Sequence, residues 1–536
     1  MTRPYVSGWE IGKNRSGRRL FHPFCSPTSP GSTARDLRKD FGGGSFAGPL
    51  RLSSSESRQW SPSMSISPPE IVPPLDRARA KAYRRLLPLL FLCYVIAYID
   101  RTNVSIAWNQ MSKDLDGFNS RVEGIGKGIF FIGYFLLEIP GTLIVERWSA
   151  RKWISRIMIS WGIVASLTAL VQTPFQFYSA RFILGLAEAG FFPGVIVYLT
   201  HWFPSRDRTK ALAWFLIGTP VAQALSPLLS YPIVKIGTEQ VVNGQIVQIP
   251  EVWGLEGWQW VYILWGIPAV VLGILVLFFL TDRPKNAKWL DADEREALET
   301  ELDRERQAKK ATSGHMSWGQ ALSNPKVIVL AAAYFFIVTG NYGVELFLPT
   351  ILKTWYSLNE DQLRYWLILP AFGSLIGQLF VGWNSDRTKE RRLHAAIPIY
   401  IGAFALMLTV TGKPQIAVMM TLFMVAASGL KAYLPAFWAL PSLFLTEAAA
   451  AGSIGLINSV GNLGGFVGPM VLGEVKNQTN SYVPGILFLC VSMSISATII
   501  LTLGIGRKAS TAATLSIADA EISKPKSDLD PLPEVF

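Results

Sequence analysis

The chain has 536 residues, of which 50% are hydrophobic and only 16% are charged, and its mean hydropathy is +0.29. Soluble proteins carry about 25% charged residues, so this composition argues against a soluble protein and indicates a chain surrounded by lipid. The net charge of +12 does not predict a nucleic-acid partner, because the basic residues are concentrated in short loops on one side of the apolar segments. The three cysteines and four histidines form no disulfide framework and no metal motif.

The first 80 residues are rich in serine, glycine, proline and arginine. Such a composition buries too little apolar surface to offset the entropy of ordering the chain. We expect residues 1–80 to be a disordered cytoplasmic extension, and this extension lacks the apolar region of a secretory signal. Residues 1–63 are alternatively a wrongly assigned start, because Met64 is a second plausible initiator.

Apolar segments long enough to cross a bilayer, which takes about 20 residues, recur through the rest of the chain. The predicted spans are 86–107, 125–146, 153–172, 176–200, 210–235, 260–281, 327–352, 363–385, 394–412, 415–440, 452–474 and 483–506. They predict an all-α integral membrane protein with a first six-helix bundle (81–281), a cytoplasmic linker (282–326), a second six-helix bundle (327–508) and a disordered cytoplasmic tail (509–536).

The basic residues predict the orientation. They cluster before span 1 and in the loops between spans 2 and 3, 4 and 5, and 8 and 9, whereas the opposite loops are poor in them. By the positive-inside rule both termini are cytoplasmic, in a cell (plasma) membrane, or the inner membrane of a bacterial source. In the linker, alternating charges with leucines at 298 and 302 predict a solvated surface helix, and a partner-binding role is the alternative.

The two halves resemble each other. An acid, an arginine and then a basic pair recur after span 2 (146–152) and after span 8 (382–392). These loops resemble the signature of the major facilitator superfamily, which the second copy matches at Gly382, Asp386, Arg387, Arg391 and Arg392. The first copy departs from it at Thr142, Glu146 and Ser149, as is typical of the superfamily's anion:cation symporter branch.

Further segments, within residues 80–508, are similar to that branch and to its tartrate, sugar-acid and aromatic-acid transporters. They are Tyr98–Asn103, Glu138–Pro140, Arg181–Pro193, Pro435–Pro441 and Asn458–Pro469. The resemblance implies two bundles that rock about a midplane site, lined by spans 1, 4, 7 and 10, and transport of organic anions with protons. It also implies that Glu188, Asp100 and Arg101 form the centre for proton coupling and anion binding.

Charged side chains inside a bilayer cost several kcal/mol and usually face a cavity or a partner. Asp100 and Arg101 lie about 22 Å beyond Arg85 along a helix, past the middle of the membrane. A buried carboxylate can hold a proton, and a guanidinium can bind a substrate carboxylate through two hydrogen bonds. The alternatives are a permanent ion pair that fixes helix packing and, for Glu188, a structural pair with Arg181.

Other intramembrane charges are assigned less directly. Glu138 is expected to act in packing or gating. Lys431 either binds a second substrate carboxylate, which would favour a dicarboxylate, or is neutralised by Glu345 if its long side chain extends toward the outer end of span 7. The two cytoplasmic loops are expected to be gates, formed by Glu146, Arg147, Asp386 and Arg387. Polar side chains that could bind substrate hydroxyls, when not merely packed, are Tyr98, Asn103, Tyr134, Tyr342, Asn458 and Asn462.

The sequence therefore predicts a secondary active transporter, not an enzyme, because no nucleophile–base pair, metal cluster or cofactor loop is visible. We expect proton-coupled uptake of a hydroxydicarboxylate, sugar acid or aromatic acid, by a monomer that needs no cofactor besides the proton and whose other partner is the lipid bilayer. Two alternatives stay open: an antiporter for phosphorylated sugars, and a membrane sensor that does not transport.

Overall fold

A computed structural model of the chain describes residues 72–242, 245–312, 324–412, 414–443 and 447–505. The predicted extension, residues 1–80, lies outside these described residues up to residue 71, but residues 74–80 are helical and begin span 1, which corrects that boundary. The predicted tail from residue 509 and the side chains of Glu146 and Arg147 also lie outside the described part.

The described chain is almost entirely helical, and its elements follow the predicted spans closely. Spans 1 to 6 are Pro74–Asp114, Ser120–Arg147, Ala150–Leu167 (extended by the 3-10 turn Thr168–Leu170), Pro174–Glu188 with Phe191–Trp202, Ser205–Leu216 with Gly218–Val234, and Gly257–Phe279. The 3-10 turn Pro284–Asn286 and the linker helix Ala292–Thr312 follow. Spans 7 to 12 are Pro325–Tyr356, Glu360–Trp366 with Ile368–Thr388, Arg392–Leu408, Ile416–Ala432 with Leu434–Ala439 (then the 3-10 turn Pro441–Leu443), Glu447–Asn462 with Gly464–Thr479, and Val483–Thr502.

Within the described residues, ten of these spans are long and apolar enough to cross a membrane by length and composition. The other two are span 2, a helix of 28 residues several of whose side chains lie outside the described part of the structure, and span 9, an apolar helix of 17 residues. The predicted fold class, about twelve membrane helices in two six-helix bundles, is confirmed.

The packing of the helices repeats between the halves. Span 3 packs on span 6 as span 9 packs on span 12, and span 2 packs on span 4 as span 8 packs on span 10. Span 1 packs on spans 5 and 6, and span 7 packs in the same way on spans 11 and 12. The internal repeat seen in the two loop sequences is therefore a repeat of the whole bundle.

The two bundles meet along spans 2 and 11 and along spans 5 and 8. We call the end that carries Pro74 the basic end and the opposite end the far end. At the far end Arg121 pairs with Glu474 (2.6 Å) and Lys235 pairs with Asp361 (2.6 Å). Spans 2 and 11 also touch backbone to backbone there, because Gly124 and Gly473 carry no side chains. These contacts close the far end.

Local sequence explains where span 4 begins and breaks. Thr173 and Gln176 form a capping box at its start. The helix ends at Glu188, and Gly190 adopts a left-handed conformation (φ 85°) that L side chains disfavour before the chain turns helical again. The break lies against span 2 at Gly141. It leaves Glu188 at a helix end inside the first bundle.

The linker helix packs one face on the first bundle and keeps its charged face exposed. Its Leu298 and Leu302 are buried. Lys81 of span 1 binds Asp291 (2.9 Å) and Glu294 (2.7 Å). The Lys81 ammonium also holds the pKa of the Asp291 carboxyl below its usual range.

A two-stranded antiparallel hairpin, β1 (Glu239–Val242) and β2 (Gln245–Gln248), joins spans 5 and 6 at the far end. The sequence does not predict this hairpin, because the apolar residues of each strand are adjacent and do not alternate with polar ones.

Candidate functional site

Arg101 of span 1 lies where three other spans meet. Its guanidinium forms an ion pair with Glu188 of span 4 and donates to the hydroxyl of Tyr342 of span 7 (3.3 Å). The rings of Phe130 and Tyr134 of span 2 each lie 5.3 Å from it, ring centroid to guanidinium carbon. Arg101 keeps 18% of its side chain exposed and Glu188 only 1%. The pair joins the first bundle to the second through Tyr342.

Asp100 faces away from Arg101 into the first bundle. Its carboxylate accepts hydrogen bonds from the Trp161 indole (2.5 Å) and from the Asn103 amide (2.9 Å), and it is 1% exposed. Asn103 is fully buried in this contact. The structure therefore gives Asn103 a positioning contact with Asp100 and not the predicted place on the substrate cavity.

Arg181 is fully buried, donates to the carbonyl of Gly126 (3.3 Å) and lies over the ring of Phe130 (5.1 Å). Glu188 is paired with Arg101 and not with Arg181, so the alternative of a structural pair within span 4 is not what the structure contains. Arg181 contributes a second buried positive charge near the Arg101–Glu188 pair.

A second polar centre surrounds Glu345 of span 7. Its carboxylate accepts hydrogen bonds from Tyr98 (2.6 Å), Gln223 (2.8 Å), Lys431 (3.2 Å) and Asn341 (3.3 Å). Lys431 also donates to the Tyr98 hydroxyl (3.1 Å). Glu345 and Lys431 thus touch, which the sequence left open, and spans 1 and 5 of the first bundle here meet spans 7 and 10 of the second.

This centre forms part of the wall of a cavity of about 90 Å³ between the bundles. Spans 1, 5, 7, 8 and 10 line it, which adds spans 5 and 8 to the expected set and omits span 4. Its polar lining consists of Thr102, Ser105, Gln223, Ser226, Asn341, Glu345, Ser374 and Lys431. The predicted substrate residue Lys431 is on the cavity, and Tyr98 reaches it through Lys431 and Glu345.

Glu138 joins the bundles at another point. Its carboxylate accepts hydrogen bonds from the amides of Asn458 and Asn462 (3.3 Å for Asn462) of span 11. The packing or gating role expected for Glu138 fits this contact. Asn458 and Asn462, expected to bind substrate hydroxyls, are occupied by Glu138 in this conformation.

In the expected gate after span 8, the contacts of the described side chains stay within one segment. Asp386 pairs with Arg391 of its own segment (2.7 Å), and the guanidinium of Arg387 lies 5.5 Å from the Trp383 ring centroid. The matching residues after span 2, Glu146 and Arg147, have side chains outside the described part of the structure. The gating role expected for these four residues therefore stays a prediction.

A buried ion pair that was not predicted lies near the far end of span 2. Lys127 and Glu123 are 0% and 1% exposed and lie 2.5 Å apart. Thr350 of span 7 donates to Glu123 (2.8 Å), and Lys127 donates to the carbonyl of Leu346 (2.7 Å). The i, i+4 spacing of an acid and a lysine inside an otherwise apolar helix was the available signal.

Comparison with known proteins decides the family. A sequence profile of the Major Facilitator Superfamily matches residues 90–469. The chain belongs to this superfamily. A putative tartrate transporter of Agrobacterium vitis is 40% identical to it over 427 residues, which is 80% of this chain and 94% of that protein. A quinolone resistance transporter of Acinetobacter baumannii is 36% identical over 409 residues, 76% of this chain and 91% of that protein.

Solved structures agree on the fold of this major facilitator chain. A bacterial homologue of the human lysosomal transporter Spinster, crystallised in an inward-facing and unoccupied conformation, superposes with a TM-score of 0.63 at 16% identity. The match covers 80% of this chain and 97% of that chain. Its family and its relatives make the chain a multi-pass membrane transporter and not an enzyme.

Proposed function

We propose that this transporter takes up a small organic anion together with protons, and that the Arg101–Glu188 pair is where anion and proton exchange. The buried pair is the observation that carries the proposal. Arginine keeps its charge at any physiological pH, whereas a carboxylate can take up a proton. Once Glu188 is protonated, the guanidinium is left without an anionic partner and can bind a substrate carboxylate in its place.

Charge conservation supports this exchange. A lone guanidinium inside the membrane is costly, so Arg101 needs an anion at every stage of a cycle. The anion is Glu188 when the site is empty and the substrate when Glu188 carries a proton. The total charge of the loaded centre then equals that of the empty centre, and both can pass through an occluded state.

The exchange is proposed to end in the conformation seen here, in which the far-end contacts are formed. With the basic end cytoplasmic, as its lysines and arginines predict, this conformation is closed to the outside. Substrate release to the cytoplasm follows when Glu188 loses its proton and competes for Arg101. The putative tartrate transporter among the relatives supports an organic acid as substrate, and the quinolone resistance transporter supports including quinolones in the panel.

The test is uptake of labelled acids into liposomes that contain the purified protein, with an acidic exterior. The panel covers hydroxydiacids, sugar acids, aromatic acids and quinolones. We expect one class to accumulate, a protonophore to abolish accumulation, and Arg101→Ala to lose it, whereas Glu251→Gln, an exposed loop carboxylate, retains it. If the folded protein accumulates no acid, the proposal is contradicted. The alternatives are then the antiporter for phosphorylated sugars, which is tested by exchange of sugar phosphates, and the membrane sensor that does not transport.

A further inference from the structure

The carboxylate of Glu345 occupies a ring of four hydrogen-bond donors, Tyr98, Gln223, Asn341 and Lys431, which we call the Glu345 cage. We infer that this cage is a second carboxylate-binding site, now filled by the protein's own Glu345, and that the transported anion is a hydroxylated dicarboxylate. The inference rests on the proposed function, since it assigns the substrate class of the same central site.

The composition of the cage suits a carboxylate from any source. A carboxylate offers about four acceptor positions, and the cage supplies four donors at 2.6 to 3.3 Å, one of them the Lys431 ammonium. Gln223, Asn341 and Lys431 also line the cavity between the bundles. A ligand in that cavity can therefore reach the donors that Glu345 now uses.

The cage and the Arg101 centre share spans 1 and 7. Tyr98 lies one turn, about 4.5 Å, toward the basic end from Arg101 in span 1, whereas Glu345 lies one turn toward the far end from Tyr342 in span 7. Because these two shifts are opposite, the centres lie side by side at a similar depth. Arg101 contacts Tyr342, and Lys431 contacts Tyr98. A short diacid placed between the centres would bind Arg101 with one carboxylate and Lys431 with the other.

The cavity walls also contain buried polar atoms without a hydrogen-bond partner. These are the hydroxyl oxygens of Ser105 and Ser226, both 2% exposed, and the side-chain carbonyl oxygen of Gln223. Buried polar atoms are costly when unpaired. Hydroxyl groups of a substrate would satisfy them, and this favours a hydroxylated diacid over a plain hydrocarbon diacid.

Proton balance follows from the two centres. A substrate carboxylate replaces Glu188 at Arg101, and a second one replaces Glu345 at Lys431. Each displaced glutamate takes up one proton, so the charge of each centre is unchanged. A diacid therefore carries one more proton than a monoacid, which engages Arg101 alone and leaves the Lys431–Glu345 pair in place.

The competing explanation is that Lys431 and Glu345 only neutralise each other. The double variant Lys431→Met/Glu345→Gln distinguishes a second carboxylate site from simple neutralisation, because it removes the cationic site without leaving a lone buried charge. The probes are tartrate and threonate, which share a four-carbon hydroxylated chain and differ by a carboxylate against a hydroxymethyl group. Size-exclusion chromatography checks that both proteins are folded.

We expect the wild-type protein in detergent to bind tartrate more tightly than threonate, as measured by ligand-induced stabilisation. The double variant should lose tartrate affinity by roughly 30-fold or more and keep its threonate affinity. In liposomes with a pH dye, wild type should take up one more proton per tartrate than per threonate, and the double variant should show no such difference.

Retained preference for tartrate in the double variant, or no binding of either acid by wild type, would overturn the second site. The two proposals fail differently. If tartrate binding depends on Lys431 but no acid is taken up along a proton gradient, the transport proposal is wrong and the site stands. If anions are taken up with protons and Lys431 has no effect, the site is wrong and the transport proposal stands.

Discussion

The far-end latch, formed by Glu123 and Lys127 of span 2 with Thr350 and Leu346 of span 7, predicts how a single hydroxyl controls the conformation. Thr350 donates to Glu123 (2.8 Å) and Lys127 donates to the Leu346 carbonyl (2.7 Å). Spans 2 and 7 belong to different bundles, so rocking the bundles apart at the far end breaks both bonds. The latch therefore stabilises the far-end-closed state over the open one.

Thr350→Val removes one of these bonds and keeps the shape of the side chain. A hydrogen bond to a charged group contributes about 1.5–3 kcal/mol. If the open state cannot form it, the substitution shifts the equilibrium toward that state by roughly 10- to 150-fold. The matched control is Thr354→Val one turn further along, because the Thr354 hydroxyl donates to the Thr350 carbonyl of the same helix.

The assay is the labelling rate of a cysteine introduced at Ile106, which lines the cavity and is 3% exposed. The three native cysteines are replaced by alanine, and a membrane-impermeant maleimide is added on the predicted external side. As long as the open state remains a minor population, the rate should rise by the same 10- to 150-fold in Thr350→Val and stay unchanged in Thr354→Val. Equal rates in all three proteins would refute the latch.

Two further predictions concern stability. Gly185→Ala places a methyl group 2.0 Å from the Phe130 carbonyl oxygen and should lower the free energy of unfolding by about 1–3 kcal/mol. The melting temperature should fall accordingly. The control Gly455→Ala, whose methyl group meets nothing within 4 Å, should leave the melting temperature unchanged. Leu298→Ala removes a fully buried side chain of the linker helix and should destabilise the docking of this helix by about 2–5 kcal/mol. Proteases should then cleave the linker faster, whereas Glu299→Ala should leave the cleavage rate unchanged.

The membrane spans could be predicted from sequence because each depends on a local property, a long apolar run between charges. The fine structure of the site could not. Consecutive residues on a helix point about 100° apart, so Asp100 and Arg101 had to face different neighbours, Trp161 in one case and Glu188 in the other. Which neighbour each faces depends on how span 1 is rotated against spans 3 and 4.

Pairings between helices distant in sequence were equally beyond the sequence. Lys431 and Glu345 are 86 residues apart, and only the packing of span 7 against span 10 brings them into contact. The Glu123–Lys127 pair was missed for a different reason: the predicted start of span 2 at residue 125 left Glu123 in a loop and so separated it from Lys127. The structure begins that helix at Ser120, which buries both charges.

The proposal that Glu188 couples proton and anion is tested most directly by exchange of a monoacid such as threonate, which leaves the Lys431–Glu345 pair in place, at equal pH on both sides of a liposome. Exchange needs Glu188 protonated at every crossing, so in wild type its rate should fall as the pH rises. Glu188→Gln imitates the protonated carboxyl permanently and should exchange substrate at a rate that no longer depends on pH. Asp100→Asn, measured in parallel, reports any contribution of Asp100, the second candidate for proton coupling, to the pH dependence. If Glu188→Gln keeps the pH dependence of the wild type, Glu188 is not the coupling residue.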